Sequence, residues 1–291
     1  VSTDSAVTGR DGPAAGVVLV GGRSSRMGEP KAALEWHGST LVRRTAALLA
    51  RTVDGPVVVV RAPGQPLPEL PAGVAVVEDP VEGLGPMQGI ATGLAALSDR
   101  ALVAFACSTD LPFLHPAYVR RVLAALDADV DVVLPHVHGR RQPLATAYRT
   151  ALAPVVAGMV AHRQLKLTKL FDHCRVRRID DAALLSDPRL HALDPALDSV
   201  LNVNEPDHYR DARARPAPEI TVQHYGLLAA AGKHEPTMVE AATLGAAAAA
   251  VGLALDRHVV AALNGDRLTR DPEMPLVAGD AIAFLSTDAG D

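Results

Sequence analysis

Val17-Val-Leu-Val-Gly-Gly-Arg-Ser-Ser-Arg-Met-Gly-Glu-Pro-Lys31 opens with a short β-branched apolar run, Val17 to Val20, preceded by Gly16. Such a run, bounded by glycine, reads as a buried strand. It passes straight into Gly21-Gly22, and three cations follow at Arg23, Arg26 and Lys31. Two residues without Cβ let backbone N–H groups approach a ligand closely, and such groups bind anions. Cations spaced along the same loop can neutralise a polyphosphate. A solvated basic loop after an ordinary strand would use similar letters, and glycine content alone does not separate the two.

Outward from this stretch, apolar runs and helical patterns alternate. A helix is expected over Leu41 to Ala50, a strand over Val57 to Val60, and a third strand over Val74 to Val77. A helix from Gln88 to Ala96 precedes the run Ala101 to Ala106, and a helix from Ala117 to Leu126 precedes Val130 to Leu134. Strands apolar throughout, alternating with helices, indicate a mainly parallel sheet covered on both faces. Ligands of such open sheets bind at the carboxyl ends of the strands. The glycine-rich loop, Asp79 and Asp110 each fall at such an end. Residues Ala151 to Asp198 read as mostly helical. Ala212 to Glu219, rich in Pro and Ala, reads as a linker. Beyond it, strands are expected at Ile220 and Val222, Val259 to Leu263 and Ala281 to Leu285, with a helix about Leu244 to Val251. Asn264-Gly265 is a hairpin-turn signal, and Gly279-Asp280 marks another turn. The fold class is therefore α/β, a doubly wound Rossmann-like sheet over residues 1–215, followed by a small α+β domain over 216–291.

The chain has 291 residues, nearly half of them apolar at 48%, with only 3% aromatic. That supplies ample core, and abundant Ala favours helices packed closely on a sheet. No apolar run is long enough to span a bilayer. Val1 to Pro13 lacks the basic and apolar regions of a signal peptide. A formal net charge of −5 argues against a nucleic-acid groove. Cys107 and Cys174 fit neither a disulfide framework nor a zinc site and read as core residues. The expectation is a cytoplasmic protein without nucleic-acid or membrane partners.

Four further segments carry chemistry. Glu78-Asp79-Pro80 with Gly85-Pro86-Met87-Gln88-Gly89 is an acidic strand end, a flexible loop and a helix start; a plain turn before a helix reads the same. Thr109-Asp110-Leu111-Pro112 puts a carboxylate at the end of a buried strand, which is costly unless it is paired or bound to a cation. Mg²⁺ prefers one or two carboxylates with phosphate oxygens and waters, which suits Asp110. Capping of the helix after Pro112 is the structural alternative. Arg141-Gln142-Pro143-Leu144-Ala145, with Tyr148, follows a loop at His138-Gly139-Arg140. His136 and His138 would share one face of a strand, but with no third ligand evident they read as a solvated pair. Leu201-Asn-Val-Asn-Glu-Pro-Asp207 sets Asn202 and Asn204 on one face of an extended segment, or forms a simple turn before a helix.

The first stretch resembles the signature L-A-G-G-x-S-x-R-M-G-x-x-K of the MobA-like guanylyltransferases of molybdenum cofactor synthesis and their cytidylyltransferase relatives. Leu19, Gly21, Gly22, Ser24, Arg26, Met27, Gly28 and Lys31 match, and Val20 departs from the usual Ala. The other segments resemble, in the same order, the family's acid followed by G-P-L-A-G-I, its C-D-M-P-F, its Q-P-L-x-A-x-Y and its closing N-x-N-T-P-E-D. The resemblance implies transfer of GMP from GTP to molybdopterin carrying molybdenum, with Mg²⁺ as cofactor. It implies nucleotide binding by Leu19, Val20, Gly21, Gly22, Lys31, Asp79, Gly85 and Asp110, and catalysis by Arg26, Lys31 and Asp110. It implies metal binding by Asp110 assisted by Asn204, and acceptor binding by Gln142 and Pro143. Transfer of a cytidylyl group, or nucleotide and partner binding without catalysis, are the alternatives.

Residues 219–291 resemble the small β-grasp sulfur carriers of MoaD/ThiS type. The resemblance rests on Ile220-Thr-Val-Gln-His-Tyr225, Val259-Val-Ala-Ala-Leu-Asn-Gly265 and Leu276-Val-Ala-Gly-Asp-Ala-Ile-Ala-Phe-Leu285. Such carriers end in Gly-Gly, whereas this sequence reads Ala289-Gly290-Asp291, so a docking or regulatory module, binding other cofactor-synthesis proteins, is expected in place of sulfur carriage.

Overall fold

The computed structural model describes residues 12–21, 30–225 and 235–286. Strand β1 (Ala14–Leu19) is followed by the short β2 (Glu35–Trp36) and β3 (Ser39–Thr40), helix α1 (Leu41–Ala50), β4 (Val57–Arg61) and β5 (Ala75–Glu78). Helix α2 (Pro86–Leu97), β6 (Val103–Ser108), α3 (Pro116–Ala124), β7 (Val132–Val137), β8 (Arg140–Arg141) and β9 (Ala145–Arg149) come next. Then follow α4 (Ala153–Ala161), α5 (Leu167–Leu170), β10 (Val176–Asp180), α6 (Asp181–Leu185), α7 (Pro188–Leu193) and α8 (Pro206–Arg213). The described C-terminal part holds β11 (Glu219–Tyr225), β12 (Thr237–Glu240), α9 (Leu244–Ala250), β13 (Val259–Leu263), β14 (Arg267–Thr269) and β15 (Ala281–Ser286).

The chain forms two compact units. The larger runs to Asn204 but omits Glu35–Thr40; the smaller combines Glu35–Thr40 with the chain from Glu205 onward. The expected boundary near Pro216 falls between α8 and β11, so α8 and the β2–β3 hairpin belong to the smaller unit.

In the larger unit the sheet order is β10-β7-β9-β6-β1-β4-β5, with β8 also on β7. β1 pairs in parallel with both β4 and β6, β4 with β5, and β7 with β10. β9 is antiparallel to β6 and β7, so the sheet is mixed α/β with a parallel core. β1 and β6 are buried along their whole length, which is why they read as continuous apolar runs. One face packs under α2 and α4 through Val17, Leu19, Val60, Ile90, Leu94, Leu134 and Val156. The opposite face takes α1: a Cβ on Gly16 would stand 3.0 Å from Leu49. α1 spans Leu41–Ala50 as the sequence implies.

Besides the short β2, β3, β8, β12 and β14, two strands of the larger sheet depart from the sequence expectation. β10 lies in a stretch expected to be helical, and β9 in one expected to be only a lining segment. β10 is an edge strand whose Arg177, Arg178 and Asp180 break the apolar run. β9, Ala145-Thr-Ala-Tyr-Arg149, is buried from Ala145 to Tyr148, its two alanines diluting the strand preference of Thr146 and Tyr148. Cys107 is buried and Cys174 half-buried, both as free thiols. Burial pushes both thiols up, Cys174 to about 11, with Asp110 and Asp131 adding to the shift at Cys107 and Cys174 respectively.

The smaller unit has a five-stranded sheet, β12-β11-β15-β13-β14. Its central pair β11–β15 is parallel and the outer pairs are antiparallel. α9 starts at Thr243, whose side chain accepts from the Ala246 N–H, and its Leu244, Ala247 and Ala248 pack on Ile220, Val222, Leu263, Ile282 and Phe284. Asn264 and Gly265 both take positive φ, +55° and +82°, forming the expected turn between β13 and β14. Asp280, 5% exposed, accepts from Asn264 and from the Val277 N–H and fastens this turn to the next. Among the described residues no helix is long and apolar enough to cross a membrane.

Candidate functional site

The exit of β1 is held from both sides. The Val20 N–H donates to the Val60 carbonyl at 2.9 Å, and the Thr109 N–H donates to the Leu19 carbonyl at 3.3 Å. Gly21 therefore emerges at the carboxyl edge of the sheet, exposed, with nothing within 4 Å of where a Cβ would lie. Gly22 and Arg26 lie outside the described residues. The backbone reappears at Pro30, which leads a 3₁₀ turn, Lys31–Ala33.

Asp110 follows β6 by two residues. The Ser108 hydroxyl donates to its Oδ1, while among the described residues its second carboxylate oxygen has no protein partner. It does not cap α3, because that helix starts at Pro116 with His115 as its N-cap. The Asp110 carbonyl accepts the Val203 N–H at 2.9 Å, which brings Asn204 to the same edge. Lys31 completes the group: its Nζ donates to Asn204 Oδ1 at 2.8 Å, across 173 positions of sequence. Thus Lys31, Asp110 and Asn204 converge beside Gly21. Asn202, expected on the same face, donates to the Val200 carbonyl.

Asp79 follows β5, and its N–H donates to the Arg61 carbonyl at 2.9 Å. Its carboxylate accepts from Thr92 on α2 at 2.7 Å, and Gln88 in turn donates to Thr92 at 3.1 Å. Burial raises the Asp79 pKa, and the Thr92 hydroxyl only partly offsets that. Gly85, at φ +72°, is the N-cap of α2, whose N1 residue is Pro86; only glycine takes that conformation without strain. Gly89 and Gly93 let α2 lie against β1: a Cβ would stand 2.9 Å from Leu19 and 2.5 Å from Val17. Thr92 was not singled out from the sequence, although its i, i+4 spacing from Gln88 on α2 is the signal that pairs them.

On the other side of β6, Gln142 and Pro143 lie in the turn between β8 and β9. Tyr148, fully buried, donates to the Pro143 carbonyl at 2.7 Å. The Gln142 carbonyl accepts from Thr146 at 2.5 Å, and the Gln142 N–H donates to Pro135 at 2.9 Å. The backbone here is rigid, and both residues remain partly exposed. His136 and His138 are not a pair: His136 lies in β7, whereas His138 turns off it at φ +50° with its ring at the Ala196 carbonyl.

These groups can hold an anionic ligand at the carboxyl edge of a parallel sheet, with a cation, a carboxylate and an amide oxygen within reach. Among the described residues no cluster of three or more His, Cys, Asp or Glu could cage a metal. Asp110 with one open carboxylate oxygen, beside an amide oxygen, nevertheless fits a hard cation that draws its other ligands from phosphate and water.

Residues 16–178 match the family model of the MobA-like NTP transferase domain. A probable molybdenum cofactor guanylyltransferase of Mycobacterium tuberculosis is 41% identical over 171 residues, covering 57% of this chain and 83% of that protein. Its counterpart in Mycobacterium marinum is 39% identical over 188 residues, covering 62% and 92%. The crystal structure of a molybdopterin-guanine dinucleotide biosynthesis protein A from Archaeoglobus fulgidus shares the fold, with a TM-score of 0.55 at 20% identity over 68% of this chain and 96% of that one. The chain belongs to the MobA-like NTP transferase family and is a nucleotidyltransferase.

Proposed function

We propose that the larger unit transfers GMP from GTP to molybdopterin carrying molybdenum, releasing pyrophosphate, with Mg²⁺ as cofactor. The observation that carries this reading is the convergence of Gly21, Lys31, Asp110 and Asn204 at one strand edge, together with relatives named as guanylyltransferases. In the reaction, an oxygen of the acceptor's phosphate forms a bond to the α-phosphorus. The bond from that phosphorus to the bridging oxygen breaks, and pyrophosphate leaves with the electron pair. The nucleophile is already anionic, so no strong general base is needed. Catalysis then rests on positioning and electrostatic stabilisation.

Asp110 and Asn204 would hold the magnesium, which when bound supplies charge compensation between the α-phosphate and the attacking oxygen. Gly21 and Gly22 offer amides to the phosphates, and Leu19 and Val20 line the nucleotide at the β1 exit. Lys31 leaves Asn204 to meet the pyrophosphate, and Arg26 offsets charge on the same leaving group. Asp79 and Gly85 bound the nucleoside end, where Thr92 fixes the carboxylate. Gln142 and Pro143, stiffened by Tyr148 and Thr146, face the acceptor.

Calorimetric titration with GTP and with CTP, each with Mg²⁺ and then with EDTA, tests this. Magnesium-dependent binding of GTP with CTP excluded is expected. Preference for CTP would move the chain to cytidylyl transfer, and nucleotide binding without pyrophosphate release in the presence of acceptor would make it a non-catalytic binder.

The smaller unit is read as a MoaD/ThiS-like β-grasp module that docks other molybdenum cofactor synthesis proteins. Its parallel central pair with one covering helix supports this, as do Met238 and Leu268, exposed by 58% and 67% on its edge strands. Loss of binding to a purified synthesis partner in a Met238→Glu, Leu268→Glu variant is the expected result; unchanged binding would remove the docking role from this surface. Residues Ala289, Gly290 and Asp291 lie outside the described residues.

A further inference from the structure

We infer that Arg141 and Arg178, with His136 between them, form a subsite for a second anionic, oxygen-rich group of the acceptor, at the end remote from its reacting phosphate. This rests on the transferase reading of the larger unit. His136 continues the face of β7 that carries Val132 and Leu134, the face that also bears Ser108 on β6 and Thr146 on β9. On one side the ladder sets Arg141 of β8 opposite His136. On the other, β10 places Arg178 beside Leu134, one pleat behind His136.

The neighbouring carboxylates are committed elsewhere. Asp180 lies level with His136 but accepts from the Ala183 N–H at 2.9 Å to cap α6, and Asp181 accepts from the His138 N–H at 3.1 Å. Among the described residues neither the Arg141 nor the Arg178 side chain has a hydrogen-bond or ion-pair partner. Burial, and then these two guanidiniums, hold the His136 imidazole below its usual pKa, so the ring is neutral. Its Nε2 is sealed from solvent and has no hydrogen-bond partner among the described residues. Two exposed guanidiniums on one face of the sheet, with no carboxylate bonded to either among the described residues, concentrate positive charge that an anion would offset.

The location decides which anion this is. β7 is separated from β6 by β9, and two strand spacings amount to about 10 Å. The phosphate that attacks must lie at Asp110, so a group at Arg141 and Arg178 is a different one. Gln142 and Pro143 sit in the chain between the two positions. The acceptor would thus be gripped at both ends, and a simple phosphate monoester lacking the remote anion would be a poor substrate.

Two measurements test this in the full-length protein. In steady-state turnover, Arg141→Gln with Arg178→Gln should raise the acceptor KM by about tenfold or more, the usual loss with a charge-assisted contact, while kcat and the KM for GTP stay within about twofold. Arg178→Lys should restore part of the loss. An unchanged acceptor KM in an active double variant overturns the inference. Separately, titration with inorganic molybdate, a tetrahedral dianion, should show binding to the wild type that the double variant lacks. No binding, or equal binding to both proteins, also overturns it. If molybdate binding follows the arginines but the wild type releases no pyrophosphate with GTP and acceptor, the anion subsite stands and the transferase reading fails.

Discussion

Replacing Gly93 by Ala should loosen the larger unit in a way that the same change at Gly89 does not. At Gly93 the new methyl would stand 2.5 Å from Val17 Cγ1, 3.1 Å from Val17 Cγ2 and 3.3 Å from Val60 Cγ2. Val17 is fully buried in β1, between β4 and β6. Its β-branched side chain has little rotamer freedom. The helix must therefore lift off the sheet, and such overpacking costs roughly 1–3 kcal/mol. A 2.5 Å contact with a stiff side chain belongs in the upper part of that range, about 2–3 kcal/mol; Ala gains about 1 kcal/mol over Gly in helix propensity, leaving a net loss of about 1–2 kcal/mol. At Gly89 the nearest atom is Leu19 Cδ2 at 2.9 Å, the far end of a flexible side chain. There the propensity gain should roughly cancel the strain. Trp36, the single tryptophan, belongs to the smaller unit, so its fluorescence reports the wrong half. Hydrogen exchange of the β1 and β6 amides is the suitable assay, with protection in Gly93→Ala lower by a factor of roughly 5–30. Equal protection in the two variants, or a more stable Gly93→Ala, would refute the packing argument.

Asp110→Asn and Lys31→Ala should each lower turnover at least about a hundredfold while leaving the circular dichroism spectrum unchanged; retained turnover in both would remove these residues from catalysis. Tyr148→Phe deletes the buried hydrogen bond to Pro143, at a cost of about 1 kcal/mol. It should raise the acceptor KM several-fold without changing GTP affinity, and equal effects on both substrates would place Pro143 elsewhere. Arg175 holds the Asp131 carboxylate below its usual range through paired hydrogen bonds at 2.8 and 3.0 Å. A depressed pKa stabilises the fold above the unfolded value and is lost as pH falls through the folded one. Arg175→Ala should therefore lower Tm at neutral pH, with the difference closing below about pH 4; a pH-independent difference would indicate lost packing instead. Asp79 has the opposite sign, because burial raises its pKa and disfavours the ionised form in the fold. Asp79→Asn should be at least as stable as the wild type at neutral pH and lose that advantage in acid, while binding GTP more weakly; a less stable variant at neutral pH would contradict this.

The parallel core was legible because β1, β4 and β6 are buried on both faces and so spell uninterrupted apolar runs. The Asn264-Gly265 turn was legible because its positive φ angles demand those residue types. β10 was not, since an edge strand can carry Arg177 and Arg178 without cost, and its pattern then matches the neighbouring helices. β9 was missed because Ala145 and Ala147 dilute the strand preference of Thr146 and Tyr148, and the pairing with β6 supplies the rest. At the candidate site, Lys31, Asp110 and Asn204 could be picked out by residue type and order. Their mutual support could not: the Lys31–Asn204 bond and the Ser108 bond to Asp110 arise from how the chain returns to the sheet edge. Thr92 beneath Asp79 is likewise supplied by packing, and Tyr148, legible as part of its segment, shows its bond to Pro143 only in the fold.

The placement of Glu35–Thr40 has a consequence for the order in which the chain can assemble. Trp36, 2% exposed, stacks near Tyr209 of α8. The Tyr209 hydroxyl donates to the Glu35 carbonyl, Arg213 pairs with Glu35, and Ser39 donates to Glu273 at 2.9 Å. Every one of these partners is made after residue 204. During synthesis the hairpin emerges early and must wait for them, roughly 10–50 s at ordinary translation rates, with its tryptophan uncovered. A nascent chain stalled anywhere between these segments would thus display an aromatic surface that the finished protein hides, and that interval is when a chaperone has most to hold.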